Sequence, residues 1–295
     1  MKPPLTVSPQ RGTPRLPLLL LLPLLLLLPL LCVLLLFSLA PAGWILLHSV
    51  RVDEHWSLAN FSEILGSPFY RQAFGNSIGI AFWSSLVALL LALAGAVALK
   101  RAGGRLRGLV VAFTSMASNL SGVPLVFAFI IVMGTNGALS LVLRNAGLLG
   151  GFDLGFDLYS RTGLTLVYTY FQIPLALLLL HPPVDALDDD WQAAAALLGA
   201  GRGAYWRLVG LPVLLPAIAG TFILLFANAL GAYASAYALM TSNYNLVTIR
   251  ISTLVAGDIF LEPNLAAALS VLLMAILLLV VAVHRVLLRG GRFER

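Results

Sequence analysis

Cysteine is almost absent. The one thiol, Cys32, lies inside an apolar run, so the 295 residues hold no intramolecular disulfide. The histidines, His48, His55, His181 and His284, are scattered, and no Cys/His spacing suggests a zinc site. Charge is scarce too: 10% of residues are Asp, Glu, Lys or Arg, against about 25% in an average soluble protein. So few charges cannot cover a water-facing surface. No G-x-x-x-x-G-K-S/T run occurs, so any ATP hydrolysis belongs to another chain. These absences exclude a disulfide scaffold, a zinc module, a P-loop ATPase and an ordinary soluble enzyme. No catalytic residue, metal site or cofactor is assigned.

What remains is apolar. Hydrophobic residues make up 60% of the chain, and mean hydropathy is +0.97. Several stretches reach the ~20 residues that cross a bilayer as a helix. The expected fold is an all-α, polytopic membrane bundle with six spans, at 16–48, 75–99, 109–133, 163–182, 213–239 and 265–286. With the N-terminus inside, the inner segments hold Lys2, Arg11, Arg15, Lys100, Arg101, Arg105, Arg107, Arg202, Arg207, Arg285, Arg289, Arg292 and Arg295. The outer segments hold Arg51, Arg71, Arg144, Arg161 and Arg250. This asymmetry places both termini in the cytoplasm. It also accounts for the net charge of +6 without a nucleic-acid partner.

The first apolar run invites comparison with a secretory signal. Signal cores span about 7–15 residues, and this run is far longer, with Pro41 directly after "SLA". It reads as an uncleaved, Leu-surfaced, lipid-facing span that Pro17, Pro23 and Pro29 bend. A cytoplasmic tail of residues 1–15 precedes it, and one of residues 287–295 ends the chain. The outer segment 49–74 carries Leu58, Phe61, Ile64 and Leu65 at helical spacing, with Ser57 or Asn60 as a cap. The stretch "ALSLVLRNAGLL" suggests another short outer helix, and "KRAGGRLRG" a tight basic turn. The core is 75–286, and no separate soluble domain is evident.

Residues 183–212 form a cytoplasmic loop between spans four and five. Asp188 to Asp190 suit a helix N-terminus, and Ala193 to Ala196 are strong, slender helix formers. Gly199 or Gly201 stops that helix. A second short helix follows over about 203–209, and Pro212 sits where a new helix starts. The result is a helix–turn–helix with a small-residue face that another backbone can approach.

The spacing Ala193-Ala194-Ala195, Gly199, Leu211-Pro212 and Pro216 resembles the cytoplasmic signature loop of binding-protein-dependent ABC importer permeases of the type I fold. Ala200 falls in that pattern too. The likeness runs from about residue 60 to 290. "YFQIPLALLLL" and "NLVTIRISTLVAGDIFLEPNLAAALSVLLMAI" are similar to spermidine/putrescine-type permeases. The resemblance implies a coupling helix that docks on a separate ABC ATPase subunit through Ala193, Ala194, Ala195, Gly199, Ala200, Leu211 and Pro212. It also implies a second permease subunit, identical or not, and a periplasmic or lipid-anchored substrate-binding protein. One departure stands out: Ala193 occupies the motif's glutamate position, so the acidic anchor is missing or replaced by Asp189 or Asp190.

Polar residues inside spans line a path or pack helices together. Ser115, Ser118, Asn119 and Gly122 are expected on one face of span three. Asn119, Tyr168, Gln172, Asn228 and Tyr233 are the candidate path residues, with helix packing as the competing reading. Their aromatic members suit an organic cation such as a polyamine. An ion-coupled secondary transporter is the alternative function. It calls for intramembrane carboxylates or broken helices in an inverted repeat, and neither is evident in the sequence.

Overall fold

The computed structural model describes residues 27–52, 55–146, 157–240, 244–257 and 261–290. The expected tail at 1–15, residues 16–26 of the first span, and residues 291–295 of the expected 287–295 tail lie outside these. The helices are α1 (Leu27–Ser49), α2 (Ala59–Gly66), α3 (Pro68–Lys100), α4 (Gly104–Ala117), α5 (Val123–Met133), α6 (Ala138–Asn145), α7 (Arg161–Asp185), α8 (Asp189–Leu197), α9 (Arg202–Leu230), α10 (Tyr233–Met240), α11 (Val247–Ala256) and α12 (Pro263–Gly290). One small hairpin pairs β1 (Arg51–Val52) with β2 (His55–Trp56). Among the described residues, six stretches are long and apolar enough to cross a bilayer: Leu27–Ser49, Pro68–Lys100, Val123–Val142, Arg161–Asp185, Arg202–Leu230 and Pro263–Val286.

Two spans differ from expectation. The third is broken between α4 and α5. Gly122 there has φ 71° and ψ −146°, a conformation essentially confined to glycine, and Pro124 then opens α5. Ser115, Ser118, Asn119 and Gly122 therefore do not share one helical face. The fifth span is interrupted after Leu230, where Gly231 and Ala232 separate α9 from α10.

Two helices also contain a widened turn, Leu35–Leu39 in α1 and Trp206–Gly210 in α9. In each, the residue just before a proline donates its N–H five residues back, Ala40 to Leu35 and Leu211 to Trp206. A proline ring collides with the carbonyl four residues behind it, and opening the turn relieves the clash. So the helix does not restart at Pro212. It runs through from Arg202. Gly210 is needed beneath the Trp206 indole, because a Cβ there would lie 2.7 Å from the ring.

The centre of the bundle is the α3–α7 pair, the most extensively packed helices. Ala81, Ser84, Ser85, Ala88, Ala92 and Ala96 are buried along α3. Such small residues let two backbones approach closely, which holds helices together in a bilayer. Around this pair, one apolar cluster joins α3, α5, α7, α9 and α10, and a second joins α3, α7 and α9.

At the periphery, α1 packs on α12 and leaves its leucines exposed. Ile64 of α2 packs with Leu265, Ala268 and Leu269 of α12. Ser57 accepts the Ala59 N–H at 3.1 Å. Asn60 is buried rather than capping, and donates to the Ser49 and Arg51 carbonyls at 3.1 and 3.0 Å. A polar seam fixes α11 to α3. Asn245 donates to the Phe69 carbonyl at 2.8 Å, and Ser77 accepts the Val247 N–H at 3.0 Å. The Arg250 guanidinium sits 4.8 Å over the Phe69 ring.

Candidate functional site

The loop between the fourth and fifth spans is built around α8. Asp188 is its N-cap, accepting the Asp190 N–H at 3.0 Å. At the other end Gly199 adopts φ 80°. The Gly199 N–H donates to Ala196 at 3.0 Å and the Ala200 N–H to Ala195 at 2.9 Å. These are the paired bonds of a Schellman stop, which needs a left-handed residue at this point. Gly199, not Gly201, therefore ends the helix. Both ends of α8 are thus written into its local sequence.

No residue of α8 is buried, and Leu197 and Leu198 are 90% and 88% exposed. One face, with Asp189, Gln192, Ala193 and Ala196, meets Ala200, Arg202 and Tyr205 across a cleft of about 400 Å³. Helical geometry puts Trp191, Ala194 and Leu198 on the opposite face, and all are exposed. Ala195 is half-buried between the two. Leu211 is exposed, beside Pro212, just past the widened turn of α9.

Asp189 is not a free acidic anchor. Its carboxylate lies 2.9 Å from the Lys100 ammonium at the end of α3. Lys100 also donates to the Leu187 carbonyl. Asp190 is exposed and forms no ion pair among the described residues. Beside this junction, Arg107 of α4 meets Asp185 of α7 at 2.6 Å. In the sequence, Lys100 and Arg107 read only as topology markers.

The candidate path residues separate into two groups. Gln172 is fully buried. Its amide donates to Ser84 at 3.0 Å and to the Tyr168 carbonyl at 3.1 Å, and its oxygen accepts from Ser85 at 2.8 Å. Tyr168 is also buried, and its hydroxyl donates to the Ala232 carbonyl freed by the α9–α10 interruption. Both side chains are engaged inside the subunit, with hydrogen-bond partners that their polarity alone did not name. Asn119 and Asn228 are exposed, and Tyr233 is half-buried.

The Gln172 network fixes α3 against α7. Replacing Gln172 with alanine leaves two serine hydroxyls without their partner, and interhelical bonds of this kind contribute about 1–2 kcal/mol. The expected result is a variant that inserts but melts several degrees lower, measured by fluorescence-detected size exclusion after heating.

The two breaks adjoin. A Cβ on Gly122 would lie 3.8 Å from that of Ala234 in α10. Nearby, the Tyr233 hydroxyl accepts from Ser252 at 2.9 Å. Tyr233, Thr248, Ile251, Ser252, Val255 and Ala256 line an open cleft of about 390 Å³. Thr248 and Ser252 sit in a short helix outside the six spans, so the span pattern of the sequence does not single them out. The third and fifth spans are thus interrupted where the sequence reads as continuous. No metal-binding cluster of His, Cys, Asp or Glu occurs among the described residues.

No family model matches the chain. The molybdenum transport system permease protein ModB of Mycobacterium tuberculosis is 28% identical over 237 residues, 79% of this chain and 84% of that protein. The sulfoquinovosyl glycerol transport system permease protein SmoH of Agrobacterium fabrum is 28% identical over 263 residues, 84% and 85% of the two chains. In fold, the chain matches the crystal structure of a bacterial ABC transporter involved in import of the acidic polysaccharide alginate. The TM-score is 0.73 at 15% identity, over 92% of this chain and 96% of the other.

Proposed function

We propose that this chain, an ABC importer permease by its likeness in sequence and fold, forms half of a solute path and couples it to a separate ATPase through α8. The chain is a multi-pass membrane protein of a bacterial inner membrane. The observation that carries the coupling reading is α8 itself. It is a doubly capped helix with no buried residue, standing between the fourth and fifth spans. A helix that stabilises itself at both ends yet packs so little on its own chain is suited to a partner's surface.

In this reading residues 183–212 are the coupling loop of a 75–286 core, on the cytoplasmic side with both termini. The contact residues are Ala193, Ala194, Ala195, Gly199, Ala200, Leu211 and Pro212. The partners are an ABC ATPase, a second permease subunit and a periplasmic or lipid-anchored binding protein, and ATP is hydrolysed outside this chain. Asn119, Asn228 and Tyr233 line the path, joined by Thr248 and Ser252. The cargo is a small polar solute. Of the aromatic candidates, Tyr168 is buried and Tyr233 remains to favour a polyamine-like cation. No carboxylate lies deep in a described span to meet an organic cation. Relatives named for molybdenum and for sulfoquinovosyl glycerol favour the broader class.

A tagged pull-down from native membranes in mild detergent, read by mass spectrometry, tests this. The expected result is recovery of an ABC ATPase together with a substrate-binding protein. Recovery of this chain alone, under conditions that keep other membrane complexes intact, overturns the coupling reading and returns the ion-coupled transporter to the front.

A further inference from the structure

We infer that the α3–α4 turn is a clasp that sets the attitude of α8 to the bundle, with Lys100 and Arg107 as positioning residues. The inference rests on the reading of α8 as the coupling helix. Lys100 ends α3 and Arg107 lies in the first turns of α4, joined by the short turn 101–103. Across from them is the elbow at which α7 becomes α8. Arg107 holds Asp185 at 2.6 Å on the α7 side of the elbow. Lys100 holds Asp189 at 2.9 Å on the α8 side, and the Leu187 carbonyl between them. The turn thus grips the elbow at both of its ends.

The grip matters because α8 has little else to orient it. It buries none of its residues. Among the described residues, the Lys100 contact is the one ion pair or side-chain hydrogen bond that joins α8 to another helix. Leu187, just before it, is buried and anchors the elbow without fixing the direction in which α8 leaves. Lys100 is well placed for the task. Its side chain is only 20% exposed, and an ammonium with several donors can serve a carboxylate and a carbonyl together. The other grip leads into the path, because α4 carries Arg107 at one end and the break at Gly122 past the other.

Asp189 is 87% exposed, and Arg107 and Asp185 are about one-third exposed. Only Lys100 is largely covered, and ion pairs whose other partners are this open to water add little to folding stability. The clasp therefore predicts a separation: its loss leaves the protein folded and disturbs geometry and coupling.

The test uses the full chain in nanodiscs, on a Cys32→Ser background. Nitroxide labels at Leu197→Cys and Phe113→Cys report the distance between α8 and α4. Lys100→Met/Arg107→Met is expected to broaden a narrow distance distribution at unchanged melting temperature, and Lys100→Arg/Arg107→Lys to restore it. If the double variant does not fold, Asp189→Asn alone carries the same expectation. A distribution that stays narrow without the clasp overturns the inference.

The complex recovered with its ATPase gives a second readout: labelling of Asn119→Cys by a membrane-impermeant maleimide, with and without ATP and vanadate. An intact clasp is expected to give about a fivefold change in rate, within the usual range of allosteric coupling. Without the clasp most of that change is lost while the ATPase stays bound. An unchanged response would also overturn the inference. A wild-type chain that recovers no ATPase would sink the coupling reading, and the distance measurement would still judge the clasp.

Discussion

Replacing Gly122 with valine is expected to stop solute uptake while the protein still reaches the membrane. At φ 71° and ψ −146° a side chain is strained whatever space surrounds it, and the cost is about 1–3 kcal/mol. Crowding is not the cause, since a Cβ at Gly122 would meet Ala234 at an ordinary 3.8 Å. A β-branched residue fits this conformation least. The chain would relieve the strain by reshaping the 118–122 break, which adjoins the second break at 231–232. The two candidate path asparagines, Asn119 and Asn228, are exposed and lie at or near these interruptions. The measurement is uptake by membrane vesicles of the solute found on the recovered binding protein, with ATPase co-purification as the control for assembly. Wild-type uptake by the valine variant would show that the break is not part of the path.

The other large effect is expected at α8. Ala195→Arg should reduce recovery of the ATPase by tenfold or more, a loss of about 1.4 kcal/mol or above. Ala195 lies half-buried at the edge of a helix whose small side chains permit close approach. An arginine adds a long charged side chain at the contact. The fold should change little, because no residue of α8 is buried in the bundle. Binding of purified ATPase to the variant in nanodiscs measures the loss. Undiminished binding would place the docking contact elsewhere, with the Trp191, Ala194 and Leu198 face next to be examined.

These two sites differ in how openly the sequence announced them. Aspartates before an alanine run and a glycine after it describe a capped helix through local interactions alone. The ends of α8 were therefore legible, and so were the long apolar spans. The break at Gly122 was not, because "SGVP" sits in an apolar stretch and glycine in a membrane helix is as often a packing residue. The inward turn of Gln172 depends on Ser84 and Ser85 in another helix, and periodicity cannot name that neighbour. Lys100 was hidden for a similar reason. Its partners are Leu187 and Asp189, and in the sequence it belongs to an ordinary basic loop. The widened turns are an intermediate case. Proline marks them, but whether a proline starts a helix or opens one turn of it is decided by what precedes it.

The lock between Gln172 and the two α3 serines also has a bearing on how the protein is made. The serines leave the ribosome first, and Gln172 follows Ser85 by 87 residues. At about 5–20 residues per second, the delay is on the order of ten seconds. During that interval α3 is already long enough to sit in the bilayer, with Ala, Ser and Gly along the side that α7 will cover. Its hydroxyls can turn back onto their own helix, as Ser84 does toward the Ala81 carbonyl at 3.3 Å. Gln172 has a partner in its own helix for one N–H only, the Tyr168 carbonyl. The later helix therefore arrives with the larger unmet need, and the earlier one waits with the surface that meets it. Chain direction thus delivers first the helix whose hydroxyls can be satisfied within it, and second the helix that needs it as a partner.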